Sequence, residues 1–318
     1  MARWPWIGAD LQTLRNALAP PRYDLSAYRS ERLMLPLADD TGDTLSGLLQ
    51  HPVGPPGPLA VLIHGLSGTE DSAYMLASAA ALLTGGYRVL RLNLRGAGPS
   101  RPLCRLQYHA GRSGDLRNAL AALDAALLRG GLFLVGYSLG GNMLLKFLAE
   151  HAADFPIRAA VTVSAPLDLA AASERIRAAR NRVYHRHLLY HMKIEALGRG
   201  AALTAEEQQR VRTARTIFEF DDRFVGPRNG YTGADDYYAN NSGARFLSAI
   251  RVPTLVVHAL DDPWIPSAAY RRVAWASHPA LVPLLSDGGG HVGFHGRGSE
   301  VPWHDRCVEI FFKEHETG

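Results

Sequence analysis

Cysteine and lysine are both scarce in this chain of 318 residues. Two cysteines, Cys104 and Cys307, cannot build a disulfide framework, and nothing beside them has metal-ligand spacing, so both read as reduced, inert thiols. Three lysines, Lys146, Lys193 and Lys313, leave 31 of the 34 cationic residues as arginine. The arginines stand in ones and twos without a basic stripe, so the net charge of +4 names no nucleic-acid partner. Long hydrophobic runs are missing as well. No window approaches the roughly 18 apolar residues that a membrane helix needs. The amino terminus carries Arg3 but is broken by Pro5, Gly8 and Asp10 before a signal-peptide core could form. The expectation is a cytoplasmic protein without a stable membrane anchor. Nothing in the composition speaks to oligomeric state.

With 47% apolar residues, the chain can bury a large core as one domain, or as one domain with an insertion. Short runs rich in Val, Leu and Ile recur at Leu59 to His64, Tyr87 to Leu92, Leu132 to Gly136, Ala159 to Ser164 and Thr254 to Ala259. They read as buried parallel strands. Helix-period segments lie between and after them: Ser72 to Leu83, Ser113 to Leu128, Leu139 to Glu150, Ser267 to Ala276 and Trp303 to Lys313. This alternation predicts an α/β fold with a mostly parallel, doubly wound sheet. Ahead of it, Glu31 to Pro36 and Leu45 to Gln50 flank a polar turn and predict an edge hairpin.

The alternation lapses between Asp168 and Ile250, far beyond the usual αβ loop of about 2 to 6 residues. The predicted division is an N-terminal segment 1–30, an α/β core over 31–167 and 251–318, and a helical cap insertion over 168–250. Helices are expected at Ala170 to Leu189 and Thr204 to Thr216, followed by a polar, aromatic stretch from Phe218 to Asn241. The aromatic residues of that stretch are expected to pack the insertion on the core. An insertion at the carboxyl ends of parallel strands can roof a ligand crevice.

Chemistry is signalled most sharply by Gly136-Tyr137-Ser138-Leu139-Gly140, a G-x-S-x-G pattern that closes a strand and opens a helix. A serine in such a tight turn needs small neighbours two residues away on each side, and its hydroxyl then projects from the sheet above free helix amides. A serine hydroxyl also needs a base, and the base needs an acid to hold its tautomer, in the order nucleophile, acid, base. Asp262, in Leu260-Asp261-Asp262-Pro263 after a strand, is assigned the acid, with Asp261 as the alternative. His291, in Gly288-Gly289-Gly290-His291, is assigned the base. The oxyanion hole is expected from the backbone amides of Leu139 and of Leu66, the latter in His64-Gly65-Leu66-Ser67-Gly68. His64 and Ser67 shape that loop. His185, His187 and His191 lack an acidic partner and are read as solvated helix residues, so no metal and no cofactor is expected. Asn93 to Gly98 lacks the ending of a P-loop and reads as a compact turn.

With these motifs in place, the chain resembles α/β hydrolases of the YheT-like branch, related to ABHD-type lipid hydrolases. Leu92-Asn93-Leu94-Arg95-Gly96, Tyr108-His109-Ala110-Gly111, Asp221-Asp222-Arg223-Phe224, Tyr237-Tyr238 and Gly290-His291-Val292-Gly293-Phe294 carry the likeness from about Trp4 to Phe312. The resemblance implies a Ser-His-Asp carboxylesterase acting on short acyl esters, acylglycerols or phospholipids. Two alternatives stay open: acyl transfer to an alcohol by the same residues, and a non-catalytic binding module on the same fold. The Asp221 to Phe224 segment is expected to form a salt-bridged clamp holding the insertion to the core.

Overall fold

The computed structural model describes residues 2–316, so the first residue of the 1–30 segment and the last two of the 251–318 part lie outside the described residues. Eight strands form one sheet: β1 (Ser30–Pro36), β2 (Thr44–Gln50), β3 (Leu59–Ile63), β4 (Arg88–Leu92), β5 (Leu132–Tyr137), β6 (Ile157–Val163), β7 (Thr254–Ala259) and β8 (Leu281–Ser286). Their spatial order is β1-β2-β4-β3-β5-β6-β7-β8. The β1–β2 and β2–β4 pairs are antiparallel and the remaining pairs are parallel.

Side-chain alternation sorts the strands between two cores. Val61, Ile63, Leu132 and Leu134 face one layer of helices, whereas Leu62, Phe133, Val135 and Tyr137 face the other. The run Leu281–Ser286, an apolar stretch without alternation, is an eighth strand at the sheet edge. Pro283 is tolerated there because β8 pairs with β7 alone.

The Asn93 to Gly98 turn is held by charge. Arg95 is fully buried and meets Asp43 at 2.8 Å, Asp115 at 2.7 Å and Asp39. A buried guanidinium is tolerable only with such neutralising partners, and here they pin the β1–β2 turn to the end of β4.

Three predicted helices differ from the structure. The Ser113 to Leu128 segment stops at Ala121 and restarts at Ala125, where the Asp124 carboxylate caps the Ala126 amide at 2.8 Å. The helix starting at Ser267 ends at Arg271. The segment Ala170 to Leu189 is two helices, Leu169–Arg177 and Arg182–Ala196, broken where Ala178 turns extended. No glycine or proline marks that break. Asn181 makes it, because its buried amide donates to the carbonyls of Arg175 at 2.9 Å and Pro263 at 2.7 Å.

Between β6 and β7 the chain is helical, with apolar clusters of its own around Leu188, Val211 and Phe220 and around Leu169, Tyr237 and Tyr238. Thr204 starts the Ala205–Thr213 helix with a reciprocal capping box to Glu207.

Candidate active site

Ser138 sits between the end of β5 and the helix Leu139–Glu150, with φ 50° and ψ −121°. A non-glycine residue there stores about 1 to 3 kcal/mol, which the surrounding packing must overcome. That packing is close. A Cβ on Gly140 would lie 2.3 Å from the His64 carbonyl oxygen, and one on Gly136 would lie 2.7 Å from the Gly140 oxygen. Ser67, Ser164 and Val292 also take positive φ, so strained backbone gathers around this point. The Ser138 amide donates to Val163 at 2.8 Å, and the Val292 amide reaches Ser164 Oγ at 3.3 Å.

The three side chains selected from sequence meet in a line. Ser138 Oγ lies 2.9 Å from His291 Nε2, and His291 Nδ1 lies 2.8 Å from Asp262 Oδ2. Asp262 is 3% exposed, and its Oδ1 accepts from the amides of Trp264 at 2.8 Å and Ile265 at 3.0 Å. Burial pushes its pKa up, but the facing imidazole and the amides outweigh that and hold the carboxyl below its ordinary range. An ionised acid on Nδ1 leaves Nε2 as the acceptor for the serine hydroxyl. Asp261 faces elsewhere: it accepts from the Gly290 amide at 2.9 Å, and burial raises its pKa.

Leu66 and Leu139 line the same cavity as Ser138 and His291. The Leu139 amide belongs to the first helical turn, which has no intrahelical partner. In the Leu66 loop, His64 Nδ1 donates to the Gly65 carbonyl at 2.8 Å while its Nε2 accepts from the Leu94 amide at 3.0 Å. Burial lowers the His64 pKa to about 4, so this bracing residue is neutral.

Other parts of the site have no sequence pattern. Trp264 stacks on the His291 ring with centroids 4.3 Å apart. Thr13 Oγ1, on the Ala9–Leu18 helix, accepts from the His291 amide at 2.8 Å, and Gln12 exchanges hydrogen bonds with the His295 backbone. The N-terminal segment therefore braces the histidine loop.

The cavity above Ser138 measures about 610 Å³ and is roofed by the helices between β6 and β7. Two carboxyls stand in its wall. Tyr108 Oη accepts from the Ser67 amide at 2.7 Å and donates to Glu195 Oε2 at 3.0 Å, joining the Leu66 loop to the roof. Tyr238 Oη donates to Asp221 Oδ2 at 2.6 Å and lies 3.0 Å from Ser173 Oγ, while Tyr237 Oη accepts from the Ala110 amide at 2.9 Å. Burial raises the pKa of both Glu195 and Asp221 to about 7, against the tyrosine hydrogen bonds.

These contacts correct the salt-bridged clamp expected of Asp221 to Phe224. Asp221 bonds Tyr238, also between β6 and β7, Asp222 caps the Ala234 amide at 3.0 Å, and among the described residues the carboxylate that exposed Arg223 meets is Glu219 at 4.0 Å. Ties to the rest of the sheet-and-helix structure run instead through other residues, among them Tyr237, Glu195, Asn181 and Asn241. The aromatic residues pack as expected, Phe220 and Phe224 in one apolar cluster and Tyr237 and Tyr238 in another, and Phe220, Tyr237 and Tyr238 also line the cavity. His185, expected in solvent, is buried and accepts from the Ile217 amide at 3.0 Å. His187 and His191 line the cavity with rings 4.4 Å apart. Among the described residues no group of three or more His, Cys, Asp or Glu could hold a metal ion.

The family described as alpha/beta hydrolase fold matches residues 58–297. The chain belongs to that family. This α/β hydrolase is 35% identical over 242 residues to YheT of Escherichia coli (strain K12), which carries an esterase name; the match covers 75% of this chain and 71% of that one. It is 30% identical over 254 residues to phospholipase ABHD3 of Mus musculus, covering 79% of this chain and 61% of that relative, so under two thirds of the phospholipase is spanned. Among solved structures, the Pyrococcus furiosus esterase Pf2001 aligns over 92% of both chains with a TM-score of 0.61 at 15% identity, a likeness of fold. Among the described residues no helix is long and apolar enough to cross a membrane.

Proposed function

We propose that this α/β hydrolase is a serine esterase that cleaves carboxylic esters. One observation carries the reading: the hydrogen-bonded line from Asp262 through His291 to a strained Ser138 at the mouth of a helix. Ser138 Oγ attacks the ester carbonyl while its proton passes to His291 Nε2. Asp262 holds the imidazole and stabilises its charged form. The amides of Leu66 and Leu139 hold the oxyanion, each worth about 100-fold to 1,000-fold in turnover. His291 then protonates the leaving alcohol, and water attacks the acyl-enzyme to release the acid and restore Ser138. No metal or cofactor has a part in these steps.

The substrate is an acyl ester of short chain or an acylglycerol, and the reaction runs in the cytoplasm. The apolar cavity walls support an acyl chain, and the esterase and phospholipase names of relatives support the bond class. The test is turnover of p-nitrophenyl esters of rising chain length beside a monoacylglycerol and a phospholipid. The expected result is hydrolysis of the esters that disappears in Ser138→Ala. Turnover that survives this substitution would refute the mechanism.

A further inference from the structure

The mouth of the cavity is located by the exposure of its own walls. Of the residues lining it, only Ala17 and His187 are exposed. Ala17 lies on the Ala9–Leu18 helix and His187 on the Arg182–Ala196 helix. Asp10 joins the two elements, accepting from Tyr184 at 3.0 Å and from Arg180 at 2.9 Å.

Exposed apolar side chains stand on both helices. On the first helix Leu18 is 64% and Leu11 40% exposed; on the second Val183 is 80%, Tyr190 62% and Ile194 49% exposed. At about 100° per residue, Val183, Tyr190 and Ile194 share one face with Arg182, Arg186 and His187. On the Arg182–Ala196 helix the exposed charge of this face has one sign, and on the Ala9–Leu18 helix the acidic Asp10 is paired with Arg180. Arg182 and Arg186 are exposed, and neither meets a carboxylate among the described residues. The helix's one acidic residue, Glu195, is turned inward to the cavity wall. A helix face combining basic and apolar side chains suits the boundary between lipid headgroups and acyl chains.

We propose that the face formed by the Ala9–Leu18 and Arg182–Ala196 helices docks on an anionic phospholipid bilayer, with the cavity mouth between Ala17 and His187 set against the lipid. Arg182 and Arg186 meet headgroup phosphates, and Val183, Tyr190, Ile194 and Leu18 enter the acyl boundary. An acyl chain leaving the bilayer then passes to apolar walls such as Leu188 and Met192 with little exposure to water. A second copy of the chain fits this face poorly. A two-fold contact brings two like-charged faces together, whereas phosphates neutralise the arginines.

Docking is read by binding alone, separately from the esterase reading. The full chain is sedimented with vesicles of phosphatidylcholine, or of phosphatidylcholine mixed with phosphatidylglycerol. Binding is expected on the mixed vesicles and much less on the neutral ones. Arg182→Ala with Arg186→Ala is expected to lower the partition coefficient about 25-fold, at about five-fold per arginine. Val183→Ser with Ile194→Ser is expected to lower it at least about ten-fold. Val53→Ser, at an exposed apolar site outside this face, should change nothing, and melting temperatures check that each variant folds. Equal partition onto both vesicles, no partition at all, or unchanged partition in both double variants overturns the proposal. So does a wild-type dimer that Val183→Ser with Ile194→Ser converts to a monomer, since the face would then join two copies.

Discussion

The two walls of the cavity are built by different means. On the core side, strand ends, a strained elbow and close backbone contacts fix Ser138, His291 and Asp262, and each imidazole nitrogen has one partner within 2.9 Å. On the side of the helices between β6 and β7, the chain packs around small apolar clusters, and the carboxyls facing the cavity, Glu195 and Asp221, are each held by a single tyrosine. Rigid backbone suits atoms whose placement decides a rate. Helices carried on apolar packing suit a wall that selects what fits. Substitutions on the core side should therefore act on turnover, and those on the insertion side on KM and chain-length preference.

The sharpest way to break this division is at the adjacent aspartates. Asp262→Asn is expected to cut kcat for p-nitrophenyl butyrate by about 1,000-fold to 10,000-fold, because the imidazole loses the group that fixes its tautomer. Asp261→Asn, which loses one contact to the Gly290 amide, should cost about ten-fold or less. Equal losses would place the two carboxyls in one role.

Next in size is the reach of the N-terminal helix. Thr13→Val removes the acceptor of the His291 amide and should lower kcat about ten-fold, the worth of one hydrogen bond to a buried donor. A change confined to KM would assign Thr13 to the wall.

On the insertion side, Asp221→Asn and Glu195→Gln should shift KM by about three-fold, unequally for butyrate and octanoate esters, with kcat for the acetate within about two-fold. A loss of kcat for all esters alike would move these carboxyls into the core machinery.

The smallest effect concerns stability beneath the elbow. Asp305 is buried with Ser78 and Tyr137, and burial raises its pKa from 3.8 to about 8, against the bond from Ser78. Between those values the unfolded chain has released a proton that the folded chain keeps. Wild-type stability therefore falls as pH rises through this range. Asp305→Asn lacks the slope, so its melting temperature should gain on wild type by a few degrees from pH 5 to pH 8. A difference that does not change with pH would mean the carboxyl is ionised in the fold.

How much of this could be read beforehand follows the same division. The buried strands, the G-x-S-x-G turn and the order Ser138, Asp262, His291 are local patterns, and local patterns survive in sequence. Leu281–Ser286 shows in sequence only as an apolar run before the Gly288 loop, because an edge strand carrying a proline has no clear period. Thr13 and Trp264 meet His291 only after the chain has folded, so nothing near them marks the role. The break before Arg182 comes from Asn181 reaching a distant carbonyl at Pro263, which overrides a good helical period. The Asp221 to Phe224 segment shows the same limit: its charges suggested an ion pair, whereas the fold gave Asp221 a tyrosine hydroxyl.

The most direct measurement is covalent labelling of the folded chain by a fluorophosphonate, followed by peptide mass spectrometry. The account predicts one adduct on Ser138, formed quickly in wild type, much more slowly in Asp262→Asn, and absent in Ser138→Ala. Failure to label Ser138 in correctly folded protein, or an adduct on another residue at the same rate, would contradict it.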